Sequence, residues 1–146
     1  MPNSTRYAIH QALYGLVQGV AAKEAADSLY NPALPAGLQG RGVRVLFLLD
    51  RGDQLVDQPG QREKRRTKVV LGALARTTDP DRDADALLFA ARIALRGARA
   101  VFSAAGIDAP ILRETQVEPE LKETQSDGAL LLSAFEVEYR ETYPGA

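Results

Sequence analysis

The first regular hydrophobic spacing lies near the start of the chain and predicts an amphipathic helix over residues 4–26. Its apolar positions fall three and four residues apart, which places them on one face of a helix. Asn3 or Ser4 can cap the start by accepting a bond from a backbone N–H group. The predicted buried face consists of Ile9, Leu13, Leu16, Val17 and Val20.

A second helical pattern runs over residues 77–106. Thr78 or Asp79 is predicted to cap its start, Pro80 suits the first turn, and Gly106 ends it. Acidic residues early in the segment complement the positive end of the helix dipole. The predicted core stripe consists of Leu87, Ala91, Ala94, Leu95, Ala98, Val101 and Phe102.

Four further segments predict β-strands, at residues 43–49, 64–76, 111–117 and 128–143. The first is a short, continuous apolar run, which is typical of a buried strand. The second begins charged and ends apolar, as expected of a strand that projects beyond the core. The last alternates apolar and polar residues, so one of its sides is predicted to be buried and the other wet. The alternating residues are Phe135, Val137 and Tyr139 against Glu136, Glu138 and Arg140.

Two intervening segments read as loops. Residues 31–42 contain several prolines and glycines, and residues 50–61 are polar and rich in turn-forming residues. The order helix, strand, strand, helix, strand, strand predicts an α+β fold, with a small, mostly antiparallel sheet and two amphipathic helices packed on one face. The chain, residues 1–146, is long enough for one domain with a core of its own. Residues 50–66 are predicted to be an exposed loop and strand extension.

The composition excludes several kinds of function but does not by itself indicate a particular one. Eighteen bases and nineteen acids give a formal net charge of −1, so nothing draws the whole molecule to nucleic acid or a membrane. No cysteine is present, which excludes a disulfide, a thiol nucleophile and a thiolate metal site. No apolar stretch is long enough to cross a bilayer, and the start lacks the layout of a secretion signal. We expect a soluble, non-secreted protein without a membrane partner.

Side chains that would form an active site are scarce. His10, the single histidine, lies on the first predicted helix without a nucleophilic partner, so a surface or half-buried structural role is expected. Asp79, Asp81, Asp83 and Asp85 lack the glycine and closing glutamate of a calcium loop. No glycine motif joins a strand to a helix for phosphate binding. The sequence therefore predicts a protein that is not an enzyme and has no catalytic residue, cofactor or metal.

Charge is unevenly distributed along the chain. Residues 62–68 hold five bases and one acid, whereas residues 114–142 hold eight acids and two bases. Such separated segments can pair head to tail between copies, and head-to-tail contacts close into a ring when the rotation allows it. The alternative is that both segments are solvated faces. The five bases are Arg62, Lys64, Arg65, Arg66 and Lys68.

A second hint of an interface lies on the helix predicted over residues 77–106. Phe89 and Ile93 are one turn apart and lie off the core stripe. Three arginines, Arg92, Arg96 and Arg99, form a basic stripe between the two faces. An apolar pair beside arginines is a plausible interface anchor. The alternative is burial under residues 50–61 or against the first helix.

The basic cluster also allows a different function, binding of nucleic acid without sequence specificity. On a strand, Lys64, Arg66 and Lys68 point to one side and Arg65 to the other. No aromatic or amide side chain is interleaved among them, so base reading is not expected, whereas contact with phosphate stays open as an alternative. Glu136 and Glu138 share one face of the last strand, where exposed acids are expected more than a catalytic pair.

The order of these segments resembles a known family. A helix reading "RYAIHQALYGLV" leads through a Pro/Gly loop to a buried strand, and a helix reading "DPDRDADALLFAARIAL" precedes the closing strand "LSAFEVEYRETY". Over most of its length the chain resembles the tail terminator proteins of long-tailed bacteriophages, the minor tail protein U-like family, and the related tail-completion proteins. The resemblance lies in order and length rather than in an invariant motif.

The resemblance implies a structural virion protein and carries over no catalytic or ligand residue. Subunits of such proteins form a hexameric ring at the head-proximal end of the tail, after assembly in the host cytoplasm. The ring ends tube polymerisation and joins the head. Its partners would be other copies of itself, the tail tube protein and the head–tail connector protein, with non-specific contact to DNA passing through the lumen. A head-completion subunit on the connector side is a close alternative.

The resemblance also bears on individual segments. It implies that the loop within residues 50–66 is mobile in the free subunit and that the basic cluster faces the tube, the lumen or a neighbouring copy. The residues expected at an assembly interface are Arg62, Lys64, Arg65, Arg66, Lys68, Phe89, Ile93, Glu136 and Glu138.

Overall fold

A computed structural model describes most of the chain, namely residues 4–34, 36–39, 41–58, 60, 62–107, 110–117 and 128–143. Within these residues three helices and five strands follow one another. The elements are α1 (Thr5–Lys23), β1 (Asp27–Tyr30), β2 (Arg44–Asp57), β3 (Arg62–Ala75), α2 (Pro80–Arg96), α3 (Ala98–Ala104), β4 (Ile111–Thr115) and β5 (Ala129–Thr142), with a short 3₁₀ turn at Ala36–Leu38.

Helix α1 confirms the first helical pattern. The Ser4 hydroxyl accepts a hydrogen bond from the Tyr7 backbone N–H group and so caps the start. Ile9, Leu13 and Val17 are buried against the sheet. Leu16 and Val20, which the sequence also placed in the core, are only partly buried because they lie at the edges of the apolar stripe.

Gly97 divides the second helical pattern into two helices, α2 and α3. The prediction of a single helix over residues 77–106 is therefore wrong. Pro80 opens α2 as expected, and Asp79 occupies the cap position without a side-chain cap bond. Leu87, Ala91, Leu95, Ala98 and Phe102 are buried as predicted. The apolar stripe therefore continues through the break, because both helices pack on the same sheet.

The five strands form one sheet in the order β1-β2-β3-β5-β4. Strand β1 runs parallel to β2, whereas the other three pairings are antiparallel. The α+β fold with a mostly antiparallel sheet is confirmed, although the sheet is mixed. Strand β1 lies between the first predicted helix and the first predicted loop and was not predicted. Its four residues are too few to show a period.

Strand β2 is twice as long as the predicted strand over residues 43–49. It continues to Asp57, so the prediction of a loop over residues 50–61 is wrong for its larger part. Pairing with β3 persists along this polar extension, interrupted by irregularities between Asp50 and Asp53 and between Leu55 and Asp57. The extension is largely exposed, as expected. Its mobility stays a prediction.

In the half of the sheet around Leu46 and Phe47, both faces carry apolar side chains. The three helices cover one face, where residues such as Leu46 and Leu71 pack on α1 and α2. Leu38 in the 3₁₀ turn packs against Phe47 and neighbouring residues on the opposite face. The predicted loop over residues 31–42 thus acts as a cover for the second face, which the sequence did not anticipate.

Candidate functional site

Three strands bring charged side chains together on the sheet face that lies opposite the helices. The register places Lys64 opposite Arg140, Arg66 opposite Glu138 and Lys68 opposite Glu136 on β3 and β5. On β4, Arg113 lies opposite Glu136. Residues opposite each other in a sheet share a face, so bases from β3 and β4 surround acids from β5. We call Lys64, Arg66, Arg113, Glu136 and Glu138 the ion-pair network.

Glu138 lies at the centre of the ion-pair network and is only 6% exposed. Its carboxylate lies 2.6 Å from the Arg66 guanidinium, 3.2 Å from that of Arg113 and 3.8 Å from the Lys64 ammonium. The hydrogen bond from Arg66 holds the pKa of Glu138 below its ordinary value, with further help from the nearby positive charges. The prediction that this side of the last strand is exposed to solvent is therefore wrong at Glu138.

Glu136 bridges two bases within the same network. Its Oε1 atom lies 3.5 Å from Nε of Arg66 and 3.5 Å from Nε of Arg113. Lys68 lies opposite Glu136 and borders a small cavity that Arg51 also lines. Arg62 opens β3 and lines another cavity with Lys64 and Arg140. The acidic pair of the last strand thus serves to hold the bases of its neighbours.

Arg65 points to the opposite side from Lys64 and Arg66, as the strand period predicts. Its Nε atom lies 2.6 Å from a carboxylate oxygen of Asp53, and Nη1 lies 3.1 Å from Glu63. The hydrogen bond with Asp53 raises the pKa of Arg65 above its ordinary value. The Tyr139 hydroxyl donates to the second oxygen of Asp53 at 2.8 Å. This second cluster ties the polar extension of β2 to β3 and β5.

The basic and acidic segments that looked separate in the sequence are neighbours in space. Lys64, Arg65 and Arg66 each face an acid of their own chain, which corrects the expectation of two free, complementary patches. Such internal pairing leaves these bases less able to contact phosphate. Four of the predicted acids lie outside the described residues, namely Glu118, Glu120, Glu123 and Asp127.

Phe89 and Ile93 form an exposed apolar pair on α2, which we call the α2 patch. They are 58% and 56% exposed, respectively. The alternative of burial under residues 50–61 or against α1 is therefore wrong for the described part of the chain. Arg92, on the β4 side of the helix, pairs with Glu114 of that strand at 3.0 Å. This ion pair links α2 to β4, which lies at the edge of the described part of the sheet.

A groove separates the end of α2 and the start of α3 from β4, with a volume of about 460 Å³. We call it the arginine groove. Arg96 and Arg99 line its helical side, and Phe102, Leu112 and Phe135 supply apolar surface. Neither Arg96 nor Arg99 pairs with an acid among the residues described here. Pro110, Ile111, Arg113 and Glu114 complete the lining.

His10 is buried more deeply than the surface or half-buried position expected for it. It is 2% exposed, with Nε2 at 2.7 Å from the Thr67 hydroxyl and Nδ1 at 2.9 Å from that of Tyr30. Burial lowers the pKa of His10 below its ordinary value. Thr67 is itself fully buried, so a substrate has no access to this pair. The arrangement satisfies the polar atoms of the core.

Two other kinds of site find no support in the described ranges. No group of three or more histidine or acidic side chains is placed to hold a metal ion there. Of the helices in the same ranges, none is long and apolar enough to span a membrane.

The sequence identified the α2 patch but missed two parts of the surface. Arg113 joins the ion-pair network through β4, and the short segment around it carries no local sign of that role. The arginine groove depends on how α3 meets β4, which periodicity cannot show. The spacing of Arg92, Arg96 and Arg99 was the one available signal. In comparisons with known proteins, neither a protein-family model nor a curated protein matches this chain.

Proposed function

We propose that this protein is a structural subunit of a bacteriophage tail. Copies of the chain associate into a ring, with six subunits as the resemblance implies, at the head-proximal end of the tail tube. The ring ends polymerisation of the tube protein and offers the head–tail connector protein a surface to join. The subunit is assembled in the host cytoplasm, acts in the virion and performs no catalysis.

The exposure of the α2 patch carries this proposal. The large apolar side chains of Phe89 and Ile93 are exposed to water on the outer face of α2. An apolar side chain gains free energy when a partner removes it from water. The flanking arginines and the apolar centre match the composition of protein interfaces, which are rich in aromatic residues and arginine.

The order of the elements supports the resemblance in a weaker way. A capped helix, a buried strand, a long antiparallel partner, an acid-opened helix and a closing strand occur in the expected sequence. The paired state of Lys64, Arg65 and Arg66 counts against the alternative of nucleic-acid binding. A surface that reads phosphate needs cations that are free to meet it.

The mass of the protein in solution tests the proposal, measured by light scattering coupled to size exclusion over a range of concentrations. We expect the wild-type chain to reach the mass of a ring as concentration rises. We expect a variant with Phe89→Gln and Ile93→Gln to keep its thermal stability but to remain a monomer. Val43→Gln is the matched control, because Val43 is an apolar side chain of similar exposure, 55%, and precedes β2 in the chain and is not part of α2.

A wild-type protein that stays monomeric at every concentration, and in the presence of tail tube protein, would overturn the proposed function. A closed two-fold dimer would overturn the ring while keeping self-association. A double variant that assembles like the wild type would remove the α2 patch from the contact.

A further inference from the structure

The helical wall of the arginine groove carries two cations. Arg96 ends α2 and Arg99 lies in α3, and both side chains are exposed. Neither forms an ion pair with an acid among the described residues, whereas Arg92, one turn before Arg96, is held by Glu114 at 3.0 Å. A guanidinium group forms strong, charge-assisted hydrogen bonds with a carboxylate or a phosphate. The groove therefore favours an anionic ligand.

Strand β4 forms the opposite wall of the groove and is exposed along most of its length. Four of its five residues are exposed, and Ile111 is 52% exposed. Among the described strands, β4 pairs only with β5 and so lies at an edge of the sheet. The backbone N–H and C=O groups on the outer side of an edge strand can bond an added extended segment. An anion carried on an extended peptide would thus gain backbone bonds as well as ion pairs.

The two faces of β4 indicate which side chains such a segment needs. Leu112 packs against the core under the helices and Glu114 pairs with α2, so these two residues point to the helical face. Ile111 and Arg113 point to the other face, because successive side chains of a strand alternate. An added strand alternates in the same way. Every second side chain of the segment would therefore face the two arginines of the groove.

We propose that the arginine groove and the outer edge of β4 bind an extended acidic segment of a partner protein. Carboxylates at alternate positions of the segment pair with Arg96 and Arg99, and backbone bonds to β4 hold the segment in register. On the other face its side chains lie beside Ile111, whose exposure favours an apolar residue there. The ligand is thus a strand in which acidic and apolar residues alternate.

A nucleic acid fits the same surface less well, although its phosphates could meet the two arginines. Its backbone has no N–H and C=O groups to pair with an edge strand. The aromatic residues of the lining, Phe102 and Phe135, are only 1% and 2% exposed, so bases have no ring to stack on. An oligonucleotide is therefore the competing ligand in the test.

The proposed site is separate from the α2 patch. Neither Phe89 nor Ile93 lines the groove. The two surfaces can therefore be changed one at a time, and the inference does not depend on the formation of a ring.

Fluorescence anisotropy with a labelled synthetic peptide tests the site. The probe has about seven residues, alternating glutamate and valine, which is enough to pair along the five residues of β4. We expect saturable binding of this peptide, and binding at least about tenfold weaker when lysine replaces glutamate. We expect Arg96→Gln with Arg99→Gln to weaken binding of the acidic peptide at least about tenfold, because two charge-assisted pairs are lost. Arg82→Gln is the matched control, on α2 and 72% exposed, and should bind like the wild type.

Amide hydrogen exchange tests the backbone contribution. At a peptide concentration of about ten times the dissociation constant, exchange of the outer amides of β4 should slow about tenfold, since only the free protein exchanges them. Strand β1, at the other edge of the described sheet, is the internal control and should keep its exchange rates.

The outcomes separate this inference from the proposed function. Absence of saturable binding, equal affinity for the acidic and basic peptides, or unchanged exchange in β4 would each overturn the inference. Tighter binding of a thymidine oligonucleotide with the same number of charges would overturn it in favour of nucleic acid. Peptide binding that Phe89→Gln with Ile93→Gln leaves intact supports the inference, even if the wild-type chain never assembles and the proposed function fails.

Discussion

His10 and Glu138 are among the buried polar side chains of the described residues, and partners distant in the sequence stabilise each of them. Thr67 and Tyr30 supply hydroxyl groups to the histidine from two strands. Arg66 and Arg113 supply positive charge to the glutamate. A buried polar group without such partners costs free energy. Burial at both positions is therefore a property of the register between strands and not of the local sequence.

Neutralising Glu138 should destabilise the fold. We expect Glu138→Gln to lower the free energy of unfolding at pH 7 by about 1–3 kcal/mol, since charged hydrogen bonds to Arg66 and Arg113 are weakened. Because the folded-state pKa of Glu138 is lowered, its contribution is present above the ordinary carboxyl pKa of 4.5. It is lost as the pH falls from there through the lower folded-state value.

Urea unfolding at several pH values between 7 and 3 measures this contribution. The gap between wild type and Glu138→Gln should narrow as the pH falls. Glu114→Gln is the control, because Glu114 and Arg92 form an exposed pair whose loss costs only about 0.2–1 kcal/mol. If Glu138→Gln and Glu114→Gln lowered the free energy of unfolding equally, the burial of Glu138 would not make its ion pairs more stabilising than an exposed pair.

At the scale of elements, strand pairing determines what the sequence pattern alone did not. Residues 51–57 are mostly polar, yet they extend β2 because β3 continues to pair with them despite two irregularities in the register. Gly97 divides one continuous apolar stripe into α2 and α3. Periodicity reports which face is buried, and it succeeded for α1, α2, β3 and β5. It does not report where pairing stops.

Gly72 shows how tightly two of these elements fit. It lies opposite Phe47 in the register of β2 and β3, and a methyl group there would overlap the Phe47 ring. We expect Gly72→Ala to lower the free energy of unfolding by about 1–3 kcal/mol, as overpacking in a core does. Gly15→Ala, in open space on α1, should instead stabilise by about 0.5–1 kcal/mol.

Thermal and chemical unfolding of both variants provide the measurement. A second change, Phe47→Leu, should recover part of the stability lost in Gly72→Ala because it removes the clashing ring. A Gly72→Ala variant as stable as the wild type would contradict the close packing of β2 on β3.

At the scale of the whole molecule, the sequence identified the apolar pair on α2 and the charged segments, but not how these features lie relative to one another. Phe89 and Ile93 were identified from helical spacing, and they are exposed. The basic and acidic segments were identified from counts, yet they pair internally because β5 lies beside β3. Strand order depends on contacts between residues far apart in the chain, which no local pattern encodes. The arginine groove was out of reach for the same reason.

The balance of charge predicts weak interaction with nucleic acid. The net charge is −1, and Lys64, Arg65 and Arg66 are engaged with acids of their own chain. We expect no measurable binding of duplex DNA at physiological salt, as measured by fluorescence anisotropy with a labelled duplex. Binding that persists there, and falls steeply as salt is raised, would revive the nucleic-acid alternative.

The position of β5 has a consequence for how the chain is made. This strand follows the other four described strands in the chain, yet it lies between β3 and β4 in the sheet. Until it emerges, β3 has one open side and β4 has no partner among the described strands. Unpaired strand edges are prone to association with other nascent chains. The sheet can therefore close only after β5 has been synthesised, and a chain that stops before β5 would expose unpaired strand edges and be prone to aggregate.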